Sequence, residues 1–303
     1  MAPAPWRKLG RVLQASGAPL SRSHVMLPTP FVLADRVRVF YAACDADLRG
    51  RIFFADFEPE PPFALMALRT EPVLDLGSPG AFDCDGVNPS QVIETQDGLA
   101  LLYIGWRRGP ADQPYTLFAG VAVSGDQGQS FARNPGPLLP PRAGERLFRT
   151  APFIQRDDRG YRLLYIGGDA FLDGEGARRT PVYSLMEQRS AGLWDWDGPA
   201  RVLMAPDLEA GEVGFGRPVI TPDGRLMVSL RTHAGYRLVE TDLDFDPQTR
   251  PPFMPVVPPP FEPWEAAMTC FGAPCVAGAN ELLFYNGDGY GRSGLGLAWR
   301  PRS

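Results

Sequence analysis

Carboxylates, arginines and a histidine stand just ahead of five prolines in this chain. Asp83, Asp85 and Asn88 precede Pro89, while Glu145, Arg146, Arg149 and Thr150 precede Pro152. Glu212 and Arg217 precede Pro218, Glu265 precedes Pro274, and His24 and Thr29 precede Pro30. Two carboxyls gathered at one site, one with a raised pKa and one kept ionised, are what glycosidic bond cleavage needs. An arginine beside the ionised partner holds its pKa down. Each residue also has a plainer reading. Asp83 would cap the turn before Asn88-Pro89, Glu212 and Arg217 would pair to join neighbouring elements, and His24 would simply hydrogen-bond.

The elements that must gather these groups follow from a repeat. Pro30, Pro89, Pro152, Pro218 and Pro274 mark five segments of one kind: LPTPFVLADRVRVFYAA, VNPSQVIETQDGLALLYIG, RTAPFIQRDDRGYRLLYIGG, GFGRPVITPDGRLMVSL and FGAPCVAGANELLFYNG. Each has a short apolar strand, a polar turn and a second apolar strand. The turns hold Asp35, Asp97-Gly98, Asp158-Arg159-Gly160, Asp223-Gly224 and Gly278 to Asn280, the residue types hairpins use. Tyr41, Tyr103, Tyr165 and Tyr285 sit near the ends of second strands, and the fourth copy has Ser229-Leu230 there.

The period is roughly 60 residues, enough for four strands and their connections. GRIFFADFE, LFAGVAVSGD, VYSLMEQRS and YRLVETDLD supply the further strands. Four-stranded sheets repeated radially around a channel form a β-propeller. The expectation is an all-β, single five-bladed propeller domain over residues 1–303, with four antiparallel strands per blade. Proline suits the first position of each inner strand because it has no N–H to give the ladder. The polar residues ahead of it would then face one end of the channel. GLGLAWRPR adds a strand after the fifth hairpin, and the stretch before Ser23 is available to close the same blade.

Composition agrees. The chain of 303 residues is 44% hydrophobic and carries 33 Gly and 33 Pro, which favours many short strands joined by turns. Its net charge is −5 with no basic, aromatic-interleaved run, so nucleic acid is not the expected partner. Cys44, Cys84, Cys270 and Cys275 form no C-x-x-C pair and read as reduced thiols of a cytoplasmic protein. With His24 and His233 as its only histidines, the chain implies no metal and no cofactor, although a calcium ion in the channel is left open. The N-terminus has no apolar core of a signal peptide, and no run is long enough to span a membrane.

Two motifs need weighing. SGDQGQSF, Ser124 to Phe131, resembles the Asp-box turn, in which the Asp side chain caps backbone amides. Gly289-x-Gly291-x-x-Gly294 matches the dinucleotide fingerprint, yet no crossover helix or second parallel strand can follow it. Its glycines instead let Asn286, Asp288, Tyr290 and Arg292 approach the channel mouth. There is no P-loop, G-x-S-x-G elbow or H-E-x-x-H. The period is also too long for WD-type interaction blades of ~40–45 residues.

The repeats, together with FDCDGVNPS, GEVGFGRP and LLFYNGDGYGRSGLGLA, resemble the five-bladed glycosidase-like proteins. These are the arabinanase, levansucrase and invertase superfamily of glycoside hydrolase families 43 and 32, with the mannoside phosphorylases of family 130. The resemblance covers the chain in architecture and looks closest to a bacterial branch linked to surface-polysaccharide genes. It implies an Asp base in the first blade, where SHVMLPTPF holds no carboxylate. The second-blade Asp matches Asp83, and a later Glu acid matches Glu212, with Glu265 in reserve. Arg217 and Arg149 would bind sugar hydroxyls, a sugar carboxylate or phosphate. His24, Asp85, Asn88, Asn286, Asp288 and Arg292 would add polar contacts, with Trp106 and Tyr290 stacking on sugar faces. The implied function is glycosidase-type hydrolysis of a glycan or sugar conjugate. A phosphorylase, transferase or lyase, or an inactive sugar-binding propeller, stands as the alternative. Oligomeric state, sugar and linkage are not readable.

Overall fold

The five proline-marked segments fold as hairpins, and each is extended on one side by further antiparallel strands. This is seen in a computed structural model that describes residues 4–173, 179–246 and 249–302. Unit one runs Ser23–Val32, Val37–Cys44, Gly50–Phe57 and Leu65–Leu68. Unit two runs Gly86–Thr95, Gly98–Arg108, Tyr115–Ser124 and Ala132–Arg133, and unit three Phe148–Asp157, Gly160–Asp173, Arg179–Ser190 and Ala200–Met204. Unit four has a split first strand, Glu212–Phe215 and Val219–Ile220, then Arg225–Thr232, Gly235–Asp242 and Met254–Pro255. Unit five is Cys270–Ala277, Asn280–Asn286 and Leu295–Pro301, completed by Arg7–Leu13 from the other end of the chain. Units two and three share one sheet through a short parallel contact of Phe148 and Arg149 with Leu117 and Phe118.

Two hairpin glycines show why the turns are where they are. Gly98 and Gly160 have φ of 119° and 111°, and a Cβ there would lie 2.3 and 2.6 Å from the carbonyl oxygens of Ser124 and Ser190. Both positions exclude every other residue sterically.

The marker prolines do not open the inner strands. They lie several residues inside, at or beside β-bulges: between Met26 and Thr29, Pro89 and Gln91, Thr150 and Phe153, and Cys270 and Ala273. In unit four the strand breaks outright around Pro218. Pro152 falls inside its bulge, where the ladder asks no N–H of it, while Pro30, Pro89 and Pro274 stand beside theirs and keep Val39, Tyr103 and Leu283 as register partners.

A second repeated device holds units two, three and five to the segments before them. The fully buried Tyr103, Tyr165 and Tyr285 donate their hydroxyls to Asp83 (2.9 Å), Glu145 (2.7 Å) and Glu265 (2.6 Å). In all three, the carboxylate lies twenty residues before its tyrosine. Each carboxylate also has a cation: Arg133 at 2.7 Å, Arg142 at 2.5 Å with Arg149 at 3.2 Å, and Lys8 at 2.5 Å. Breaking a buried pair of this kind costs about 3–5 kcal/mol.

Neighbouring units interlock through their first and second strands. Ser90 Oγ donates to the Pro152 carbonyl at 2.8 Å, and the Phe271 N–H donates to Ser229 Oγ at 2.7 Å. The Leu27 N–H donates to Asn286 Oδ1 at 2.8 Å, tying unit one to unit five. Aromatic contacts fill the gaps, with ring centroids 5.6 Å apart for Phe40–Phe131 and 5.4 Å for Phe57–Phe284.

Candidate functional site

Side chains from all five units meet around one cavity of about 450 Å³. Unit one contributes His24, Leu27 and Cys44, and the second Asp85, Asn88, Trp106 and Tyr115. Thr150, Ala151 and Tyr183 come from unit three, Phe215, Arg217, Arg231 and Tyr236 from unit four, and Phe271 and Tyr290 from the last. Its wall carries backbone strain. His24, Leu27, Ala151, Phe271 and Tyr290 all hold left-handed φ between 52° and 63°. Non-glycine residues there cost of order 1–3 kcal/mol each and cluster where function needs them.

Asp85 is the one carboxylate lining the cavity among the described residues. It is anchored to the end of a strand: its N–H donates to the Trp106 carbonyl at 3.0 Å, and its Oδ2 accepts the Arg108 N–H at 2.9 Å. His24 is half-buried, and burial, helped by the Arg292 charge, lowers its pKa, so the imidazole is neutral at pH 7.

Arg217 is buried and reaches from unit four to units one and five. Its guanidinium donates to Thr29 Oγ1 (2.9 Å) and to the carbonyls of Pro28 (2.8 Å) and Phe271 (2.8 Å). All of these acceptors are neutral. Burial pulls its pKa down to about 9, which leaves it cationic at neutral pH. Three buried polar atoms of lining residues have no partner: Asn88 Oδ1, Thr150 Oγ1 and Arg217 Nε. Such atoms are costly unless a ligand or water answers them. Among the described residues no three His, Cys, Asp or Glu side chains gather as metal ligands.

Of the residues singled out in the sequence, His24, Asp85, Asn88, Trp106, Arg217 and Tyr290 line the cavity. The expected pair of Asp83 and Glu212 is not assembled there. Asp83 is 1% exposed and committed to Tyr103 and Arg133. Glu265 is sealed with Tyr285 and Lys8. Glu212 pairs with Arg250 and accepts the Asp207 N–H at 2.9 Å. Arg149 turns away from the cavity to Gln188 (2.9 Å) and the Trp196 carbonyl (3.1 Å). Asn286 bridges the Leu27 N–H and the Val25 carbonyl, and Asp288 accepts the N–H groups of Ala267 and Met268. Arg292 is exposed and reaches the site through its field on His24 and Cys44.

Sequence reasoning missed Tyr115, Tyr183, Arg231 and Tyr236. They lie on second and third strands, and no local pattern distinguishes them. The three tyrosine–carboxylate locks did have a legible signal in their twenty-residue spacing.

No family model matches the chain. Proteins Rv1502 and MT1551, uncharacterised in two strains of Mycobacterium tuberculosis, are each 28% identical to it over 304 residues, covering 97% of this chain and 98% of theirs. Among solved structures, a glycosyl hydrolase from Bacteroides ovatus superposes with a TM-score of 0.67 at 16% identity, covering 100% of this chain and 96% of that one. A thermostable family-43 glycoside hydrolase gives 0.61 at 14% identity, covering 94% and 91%. A family-130 structure, from work describing hydrolases of β-1,2 mannosidic linkages in Candida mannan among the mannoside phosphorylases, gives 0.63 at 15%, covering 98% and 94%. The chain therefore has the glycosidase-like fold of these carbohydrate-active proteins.

Proposed function

We propose that this protein is a five-bladed propeller that acts on a sugar in its axial cavity, with Asp85 as the acid–base carboxylate. The five four-stranded units and the joining of Arg7–Leu13 to Leu295–Pro301 support the ring. One observation carries the reading of the site: Asp85 opens on an aromatic-walled cavity built by all five units, while Asp83, Glu212 and Glu265 are each held in an ion pair elsewhere. Trp106 and Tyr115, with ring centroids 4.2 Å apart, provide the stacking faces that sugar rings use. Neutral His24 is a second group able to accept a proton. The four free thiols support a reducing compartment.

Exchanging Asp85→Asn should lower turnover of a responsive glycoside by about a hundredfold or more. Sugar binding and the thermal midpoint should stay near wild type. Turnover unchanged in this variant would reject Asp85. A second reading, sugar binding without chemistry, is favoured by the single lining carboxylate. Calorimetry that shows binding across a glycan panel from which no product forms would select it.

A further inference from the structure

We propose that the sugar accepted here carries a covalently attached oxyanion, a carboxylate or phosphate, and that Arg231 with Tyr115 and Tyr183 reads it. This rests on the cavity being a sugar site. Charge balance points to it first. Among the described residues the lining holds three guanidiniums, Arg179, Arg217 and Arg231, against the one carboxylate of Asp85. Arg179 already pairs with Asp173 at 2.6 Å. Arg217 meets only neutral acceptors.

Arg231 has no carboxylate within ion-pair distance among the described residues. It lies 5.7 Å from the Tyr183 ring centre and 5.6 Å from that of Tyr236. The Tyr115 and Tyr183 hydroxyls are hydrogen-bonded to each other at 3.1 Å, which leaves one O–H of the pair to donate beside the guanidinium. Two largely buried cations without a counter-charge are expensive in a low-dielectric cavity, and an entering anion removes that cost. The surroundings also say how the anion arrives. A free, hydrated anion gains nothing from Trp106, Phe215 and Tyr236, whereas an anion borne on a sugar ring meets stacking faces and guanidinium together.

Calorimetry on the full chain tests this with oligogalacturonate against its methyl ester, glucose 1-phosphate against glucose, and inorganic phosphate alone. An acidic sugar should bind about tenfold or more tightly than its neutral counterpart, as a charge-assisted contact predicts. Arg231→Gln should erase that preference, and because it removes an uncompensated buried cation the thermal midpoint should not fall. Arg231→Lys should retain part of it, and Asp85→Asn all of it. Equal affinity for acidic and neutral sugars overturns the proposal and leaves the Asp85 reading intact. Inorganic phosphate binding as tightly as glucose 1-phosphate overturns it as well. No binding of any sugar overturns the sugar-site reading beneath it.

Discussion

Asp83 and Asp85 are two residues apart and have opposite fates. Both belong to the turn before Gly86, where no strand alternation orders side chains, so the turn alone sends one inward and one to the cavity. Asp83 fills the space beside two glycines: a Cβ at Gly77 would sit 1.8 Å from its Oδ1, and one at Gly105 would sit 2.8 Å from its Cβ. Such a fit is that of a structural acid. Replacing Asp83→Asn should therefore cost about 3 kcal/mol, near the lower end for a buried pair because Arg133 is partly exposed. Thermal unfolding should show a drop of several degrees, with sugar affinity per folded molecule unchanged. A variant of full stability but abolished turnover would return Asp83 to the catalytic role. The residue types of the site were thus legible in the sequence, but their division into locks and ligands was not. A carboxylate beside a tyrosine and a carboxylate beside a hole look the same in one dimension.

At the scale of elements, hairpins were readable because their chemistry is local. Gly98 shows how little freedom such a turn leaves. Gly98→Ala would need φ of 119° and would drive a methyl into the Ser124 carbonyl. The expected loss is about 1–3 kcal/mol, measurable by chemical denaturation. A neutral result would mean that the turn can rearrange. SGDQGQSF is likewise the capped turn its sequence implies. Asp126 accepts the Ser130 N–H at 3.0 Å and the hydroxyls of Ser124 and Ser130 at 2.6 Å each. Burial raises its pKa, but these hydrogen bonds outweigh that and hold it at about 2. The bulges were hidden, since a bulge is defined by the partner strand. Their consequence is functional: they leave the Leu27 and Phe271 carbonyls, beside left-handed backbone, free to receive Arg217.

The whole molecule depends on a joint between its two ends. Arg7 pairs with Trp299 and Leu13 with Leu295, and Lys8 reaches the carboxylate of Glu265. Arg217 ties unit four to carbonyls of units one, two and five across the centre. Deleting residues 1–13 would bare the edge of Leu295–Pro301 and strip Glu265 of its cation. A large fall in thermal midpoint and a tendency to self-associate are expected, readable by calorimetry and light scattering. An unaffected monomer would show that the joint is dispensable. The sequence by itself determined the period, the strand pairs and the turn chemistry, and left the stretch before Ser23 available to the last unit, where the structure pairs Arg7–Leu13 with Leu295–Pro301. These rest on local backbone preference and on patterns that recur along one chain. Only the tertiary structure decided which charges meet. Arg231, Tyr115, Tyr183 and Tyr236 come from three different units and share no spacing. Their meeting depends on side-chain direction across several sheets, and no local rule carries that information.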